Sequence, residues 1–183
     1  VRGDAEADGE NPSGRKRIIY LYERNKTGIC VNRVFGYDGI VEIPDTLNGF
    51  PVTELGAYIF SDHIDVSELN KKKETGTYCT ENGTEETPAD DMPQAAGNQV
   101  EEICLPRFLR KIGRYAFYNC FKLRRLKFCG EMKDLGAGAL TGCHKMEQIT
   151  VETDENGQSA LRDFLTELPE TLRVDMKTDG ELG

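Results

Sequence analysis

The chain has 183 residues, of which 38% are apolar and 30% are charged, so we expect one domain with a modest or elongated core. No apolar run reaches the length needed to cross a bilayer, and residues 1–17 lack the hydrophobic centre of a secretory signal. The location stays open: the cytoplasm, or the cell surface or the outside if a signal has been removed.

The net charge of −9 conceals a basic segment. Residues 101–151 carry ten Lys or Arg against five Asp or Glu, a local charge of +5, which leaves −14 for the rest. The range 107–127 holds eight basic residues and no acidic one. This indicates either a surface for an anionic partner or an ordinary solvated face, and we favour the second because charge blocks alone are weak evidence. The first interpretation would use Arg107, Arg110, Arg114, Lys122, Arg124 and Lys127.

The N-terminal half contains three predicted regions. Residues 1–17 predict a flexible polar tail. Two β-rich runs, 18–22 and 29–35, are separated by polar residues, which predicts a β-hairpin over 18–40. Residues 70–99 are rich in Thr, Glu, Asp, Gly and Lys and nearly lack large aliphatic side chains. They predict a polar insertion or an eroded repeat.

The strongest signal is an internal repeat, most regular over 102–151. A shift of 23 residues brings a series of apolar and small positions into register. An earlier copy matches at a shift of 57, with the extra length in the segment between the copies. The alignment places Ile103 on Leu126, Ile149 and Leu172; Leu105 on Phe128, Val151 and Val174; Ile112 on Leu135; Cys120 on Cys143; and, for the earlier copy, Leu55 on Ile112 and Leu69 on Leu126.

Each repeat combines two periodicities that together predict a solenoid. An alternating run such as 103–105 predicts a strand with one buried side, and the copies should stack as a parallel ladder. The runs 112–117 and 135–140 have turn and helix-like spacings, which predict a compact return of short helices and turns. We expect Gly113 and Gly136 to supply a backbone conformation that a side chain would hinder. The N-terminal hairpin would cap the first coil, because one repeat cannot bury its own apolar side.

The C-terminal part, residues 158–176, predicts a helix and a last strand. Residues 160–168 have apolar side chains at helical spacing, and the run stops at Pro169. The last strand would run from Leu172 to Val174. The chain ends in a polar stretch, and a further domain could follow it.

Two strings carry a family resemblance. IPDTLNGFPVTELGAYIF (43–60) and LPRFLRKIGRYAFYNCFKLRRLKF (105–128) resemble the BspA-type leucine-rich repeat of bacterial and protist proteins. That pattern runs through an Ile-Pro step, an Ile-Gly turn, an Ala-Phe pair, a Cys and then Leu. The third copy is looser, with Phe128-Cys129 for Ile-Pro and Ala139-Leu140 for Ala-Phe. The resemblance covers about half of the chain and implies a solenoid of the binding or adhesion kind, with no catalytic residues to carry over.

The cysteines and histidines form no recognisable catalytic or metal pattern. Cys120 and Cys143 share a repeat position where a small, soft side chain suits the core. Rungs about 4.8 Å apart also permit a disulfide between them, since bridged Cα atoms lie roughly 4.4–6.8 Å apart. No Cys-x-x-Cys marks a zinc site, and His63 aligns with Cys120 as a variant. Ser61-Asp62-His63 is consecutive, whereas a working triad assembles in space.

We therefore expect a non-enzymatic scaffold, without metal or cofactor, that mediates protein–protein interaction or adhesion. The partner would be an unknown protein or a surface glycan, and the oligomeric state stays open. Two alternatives remain: a nucleic acid or another polyanion could bind the basic stretch, which we do not favour, or the solenoid could be a structural spacer of a larger protein. Partner contact would use one outward row of strand residues: Cys104, Lys127, Thr150 and Arg173.

Overall fold

The structure is a computed structural model that describes residues 17–36, 38–62, 66–129, 132–153 and 173–178. Three predictions fall outside these ranges: the polar tail apart from Arg17, the repeat position of His63 and the helix over 160–168. The described elements are β1 (Ile19–Arg24), β2 (Ile29–Phe35), β3 (Ile40–Glu42), β4 (Thr46–Leu47), β5 (Phe50–Leu55), α1 (Val66–Thr75), β6 (Thr77–Thr80), β7 (Glu102–Cys104), β8 (Lys111–Ile112), β9 (Arg125–Cys129), β10 (Asp134–Leu135), β11 (Gln148–Thr153) and β12 (Arg173–Thr178).

A five-stranded parallel sheet, the ladder sheet, forms one side of the solenoid in the order β12-β11-β9-β7-β3. Val41, Ile103, Leu126 and Ile149 stand in register across four of these strands, and all four side chains are buried. Parallel ladders of this kind bury one face when each coil covers the apolar side of the next. The predicted solenoid with a parallel β ladder is confirmed.

The register differs from the sequence alignment at both ends of the ladder sheet. Val41, not Leu69, is the partner of Ile103 in the first coil, and Leu69 lies in α1. At the other end Ile149 pairs with Val174, not Leu172, because the step from β11 to β12 is 25 residues. The 23-residue period fails where the chain between two strands gains extra residues, and a shift of two preserves the alternation that the alignment relied on.

A second sheet, the return sheet, forms the opposite side in the order β10-β8-β5-β2-β1-β6, with β4 paired to β5. Leu55 lies in register with Ile112, and Ile112 with Leu135, as aligned from the sequence. In the described residues the return path consists of short strands and turns, so the predicted helices there are wrong. An α-helix is about 10 Å wide, and these coils are too close together to hold one each.

The third side is a stack of turns, defined here as residues 57–61, 114–119 and 137–142. Its backbone N–H groups donate to carbonyls of the following coil: Tyr58 N to Arg114 O at 3.1 Å, and Tyr115 N to Ala137 O at 3.0 Å. Phe60 and Phe117 stack beneath it with ring centroids 5.7 Å apart and planes 6° apart. The turn stack therefore joins the coils by hydrogen bonds and by packing.

Close approach between coils explains the repeated glycines. A Cβ at Gly113 would lie 2.5 Å from Ala57 N, and one at Gly136 would lie 2.2 Å from Arg114 N. Neither glycine has a positive φ, so the expectation of a special backbone conformation is wrong. The absence of a side chain is what these positions require, because the neighbouring backbone occupies its place.

Arg33 closes the open end of the turn stack. Because N–H groups in the turn stack donate to the next coil, carbonyls of its first turn such as Ile59 O receive no such bond from an earlier coil of the described structure. The buried guanidinium of Arg33 donates to the carbonyls of Tyr58 and Ile59, and to Ser61 O at 3.0 Å. Gln94 accepts a further bond from Nε at 2.8 Å, and burial lowers the pKa of Arg33 to about 10.

The N-terminal hairpin and the insertion fold together against this end. β1 and β2 pair antiparallel, and the insertion returns β6 to the free side of β1. A small separate core forms between them from Ile19, Leu21, Phe35 and Leu69. Within the predicted insertion, residues 95–100 belong to the first coil, since Lys122 N donates to Gly97 O. The coils are hereafter coil 1 (40–62 and 95–101), coil 2 (102–124), coil 3 (125–147) and coil 4, which begins at Gln148.

We expect Arg33→Met to destabilise the fold by about 3–5 kcal/mol, because the buried carbonyls that accept from the guanidinium, Ile59 O among them, lose a charged donor. Urea unfolding followed by circular dichroism measures the free energy. Arg110→Met is the control, because Arg110 is an exposed arginine on the same solenoid. Equal stability of the two variants would contradict the capping role.

Gly136→Ala tests the close approach of coils 2 and 3. The added methyl group would overlap the Arg114 backbone, and we expect a loss of about 2 kcal/mol or more in thermal unfolding. The control is Gly49→Ala, where no atom lies within 4 Å and φ is +81°. That control should cost about 1 kcal/mol from backbone strain alone, and a Gly136 variant no less stable than it would refute the explanation.

Candidate functional site

The outer face of the ladder sheet carries the predicted contact residues. Cys104 pairs in register with Lys127, and Lys127 with Thr150, while Glu42 precedes them on β3. Lys127 is 46% exposed, and Cys104 and Thr150 are half-buried. The structure therefore places these three residues in one line, here called the contact row (Cys104, Lys127 and Thr150).

Arg173 does not continue this row. The Cα partner of Arg173 is Gln148, and the residue opposite Thr150 on β12 is Asp175. The sequence alignment assumed a constant period of 23, whereas the step from β11 to β12 has two more residues. Arg173 instead aligns with the row that contains Gln148, Arg125, Glu102 and Ile40.

Ion pairs between neighbouring coils balance much of the charge on this side. Arg125 pairs with Glu102 at 2.6 Å, and Lys127 with Glu152 at 2.8 Å. Just before the strands, the Arg124 guanidinium binds both carboxylate oxygens of Glu147 at 3.2 and 3.3 Å. The hydrogen bond and charge of Glu147 raise the pKa of Arg124. Exposed pairs add little stability, but they pair most of the basic side chains near the face with acids.

The six basic residues proposed for an anionic partner do not converge. They belong to one complete turn of the chain, and a turn visits every side of the solenoid. Arg107 follows β7, Arg110 precedes β8, and Arg114 belongs to the turn stack. Lys122 and Arg124 stand together before β9, where they line an open groove of about 600 Å³ with Lys145, and Lys127 belongs to the contact row.

Cys120 and Cys143 are thiols in the structure, so the disulfide permitted by the sequence is not formed. Cys143 Sγ donates to Phe117 O at 3.2 Å, and Cys120 Sγ donates to Phe60 O at 3.4 Å. Each thiol thus donates a hydrogen bond to a carbonyl of the preceding coil. A hydrogen bond with Cys143, followed by burial, raises the pKa of the Cys120 thiol.

The described residues hold no cluster of His, Cys, Asp and Glu that could bind a metal ion. No helix among them is long and apolar enough to cross a membrane. Ser61, the serine considered as a nucleophile, is fully buried, and its carbonyl accepts a bond from Arg33. A buried hydroxyl cannot meet a substrate from solution.

The family comparison matches the repeats directly. Residues 96–164 match the model of the BspA type leucine rich repeat region. Residues 96–164 are BspA-type leucine-rich repeats. The resemblance inferred from the sequence is confirmed, and the match begins at Ala96, where the first coil resumes. Leucine-rich repeats of this type are typical of proteins that bind other proteins and of surface proteins, and are generally non-enzymatic scaffolds.

Two solved structures resemble this leucine-rich-repeat chain. A leucine rich cell surface protein from Faecalibacterium prausnitzii is 16% identical, with a TM-score of 0.45, over 97% of this chain and 44% of that protein. This chain therefore spans less than half of that protein's length. A leucine rich repeat protein from T. pallidum is 16% identical, with a TM-score of 0.29, over 87% of this chain and 80% of that one. No curated protein matches the sequence.

Sequence reasoning missed several residues on the outer face of the ladder sheet. Glu42, Glu102, Arg125 and Glu152 occupy the same face as the contact row, at neighbouring outward positions. The alternation that identified the contact row also marks them, because every second residue of a strand faces the same side. Arg33 carried no such signal, since its partners lie 25 to 61 residues away along the chain.

The cysteines should differ in reactivity, because only the thiolate reacts with alkylating agents. Burial raises the pKa of Cys30 to about 12 and that of Cys79 to about 11. Burial also raises the pKa of half-buried Cys104, with Lys127 opposing it. Among the cysteines described here, we expect iodoacetamide at pH 8 to modify Cys104 first, more slowly than a free peptide thiol and faster as the pH rises above 9.

Peptide mass spectrometry after timed alkylation measures the order of modification. Cys120 and Cys143 should react only after the protein unfolds in urea, since both are buried. Modification of Cys120 at the rate of Cys104 in the folded protein would contradict the packing of the turn stack.

Proposed function

We propose that this chain is a non-enzymatic protein-binding module that uses the outer face of the ladder sheet. The observation that carries the proposal is the contact row, in which residues of three adjacent strands present polar side chains in register. Strands lie about 4.8 Å apart, so the five strands span roughly 19 Å, a width suited to a folded partner or an extended segment. Side chains on paired strands are held in place before binding, which lowers the entropic cost of association.

The charge pattern of the face favours a protein over a polyanion. Acidic and basic side chains alternate between the coils, as in the pairs of Glu102 with Arg125 and Lys127 with Glu152. Such a surface complements a partner that presents both signs, whereas the phosphates of a nucleic acid would meet the carboxylates. The six basic residues also lie on different sides of coils 2 and 3, so they offer no continuous track for a phosphate backbone.

A partner can be sought by photocrosslinking through Cys104. The whole chain, labelled at this thiol with a benzophenone maleimide, is irradiated in a lysate and in surface extract from the source cells, and the adducts are identified by mass spectrometry. Peptides of a second protein joined to the Cys104 peptide identify a protein partner, and sugars joined to it identify a glycan.

Lys127→Ala with Thr150→Ala should reduce capture of the adduct at least about fivefold, because truncating interface side chains weakens binding. The matched control is Lys111→Ala with Thr46→Ala, which removes the same two residue types from the return sheet. Both variants should melt within a few degrees of the parent chain.

Equal capture by both double variants would refute the contact row. Capture dominated by nucleic acid and abolished by high salt would instead favour the polyanion interpretation. If no adduct forms in any extract, the binding proposal fails and the interpretation of the chain as a structural spacer is favoured.

A further inference from the structure

The corner between the turn stack and the ladder sheet holds two charged ladders with opposite patterns. In the first, Glu101, Arg124 and Glu147 follow one another at intervals of 23 residues with alternating charge. Arg124 accordingly binds Glu147, and Glu101 contributes to raising its pKa. The second ladder has Gln99, Lys122 and Lys145 at the same intervals, so two lysines meet with no acid at that position.

Lys122 and Lys145 stand on adjacent coils. The backbone follows the same path at both, since Phe121 N donates to Asn119 O at 2.8 Å and His144 N donates to Gly142 O at 3.0 Å. Neither ammonium has a carboxylate partner among the described residues, in contrast to Arg124, Arg125 and Lys127. Like charges on neighbouring rungs repel each other, and an external anion would relieve that repulsion.

The groove beside these lysines is large enough to hold side chains of a partner. Its volume is about 600 Å³, and both lysines, His144 and Met146 line it. Glu101, Arg124 and Glu147 also line it, with Arg124 paired to Glu147. Any anion longer than the space between the two lysines would therefore meet carboxylates, which favours a short anionic segment. Met146, which lines the groove and is half-buried, offers an apolar contact beside the charged ones. A short acidic segment with an adjoining apolar residue satisfies these features together.

We infer that the groove between Lys122 and Lys145 is a docking site for an acidic segment of a protein partner, whose carboxylates lie between the two ammonium groups. The inference rests on the proposed function, because the groove adjoins the start of β9 and so extends the interaction surface of the ladder sheet. The groove would add a second contact beside the contact row, and it specifies that the partner carries an acidic segment.

The test measures binding of a fluorescein-labelled oligo-aspartate peptide ending in phenylalanine to the whole chain by fluorescence anisotropy at low salt. Lys122→Gln with Lys145→Gln should weaken binding about tenfold, because both charge-assisted contacts are lost. Lys26→Gln with Lys133→Gln, which removes two exposed lysines elsewhere on the chain, should change the affinity less than about twofold. Glu101→Gln should tighten binding by removing a nearby negative charge.

Equal weakening by both double variants overturns the inference, as does equal binding of an oligo-asparagine peptide. Stronger binding of a single-stranded DNA oligonucleotide of the same charge also overturns it, in favour of a polyanion site. The outcomes separate the two proposals. A captured partner that ignores the loss of Lys122 and Lys145 overturns the groove alone, and selective peptide binding without any captured partner overturns the proposed function alone.

Discussion

The direction of the hydrogen bonds between coils in the turn stack is the constraint on which the rest of this structure depends. Backbone N–H groups in the turn stack donate toward the following coil, as Phe60 N does to Ala116 O and Phe117 N does to Ala139 O. A one-way ladder satisfies every interior coil and leaves carbonyls without donors at its first turn. Arg33 on β2 donates to the carbonyl of Ile59 in that first turn, and also to those of Tyr58 and Ser61. The hairpin and the insertion hold β2 in place. The N-terminal hairpin and the insertion therefore contribute to the stability of the solenoid.

The same close stacking determines the surface chemistry. Glycines at 113 and 136 let the coils approach until a Cβ would overlap the next backbone, which brings equivalent side chains to adjacent rungs. Repeat positions with alternating charge then form ion pairs across 23 residues, as Glu102 does with Arg125. Where the repeat places two lysines together, at 122 and 145, the stacking concentrates positive charge instead. The stacking of equivalent repeat positions on adjacent coils thus produces both the ion pairs on the ladder sheet and the concentration of positive charge in the groove.

Buried thiol groups in the repeats donate hydrogen bonds to backbone carbonyls. Cys120 and Cys143 occupy their shared repeat position because a thiol fits the core and still donates to a carbonyl of the preceding coil. An aliphatic side chain of similar size would fill the space and leave that carbonyl without this donor. The cysteine of the repeat is explained here by hydrogen bonding within a buried stack, without any redox or metal chemistry.

The sequence by itself determined the repeat, its period, the inward residues of the central strands and hence the solenoid. These follow from local alternation and a constant shift, which need no knowledge of distant contacts. It also identified the contact row over Cys104, Lys127 and Thr150, whose role stays a prediction. Only the tertiary structure decided that Val41 begins the ladder, that Asp175 and not Arg173 faces Thr150, and that Arg33 caps the stack. The register at the two ends depends on extra residues between strands, and the cap depends on partners far apart in the sequence. Neither produces a repeated pattern of residues, so sequence analysis cannot detect it.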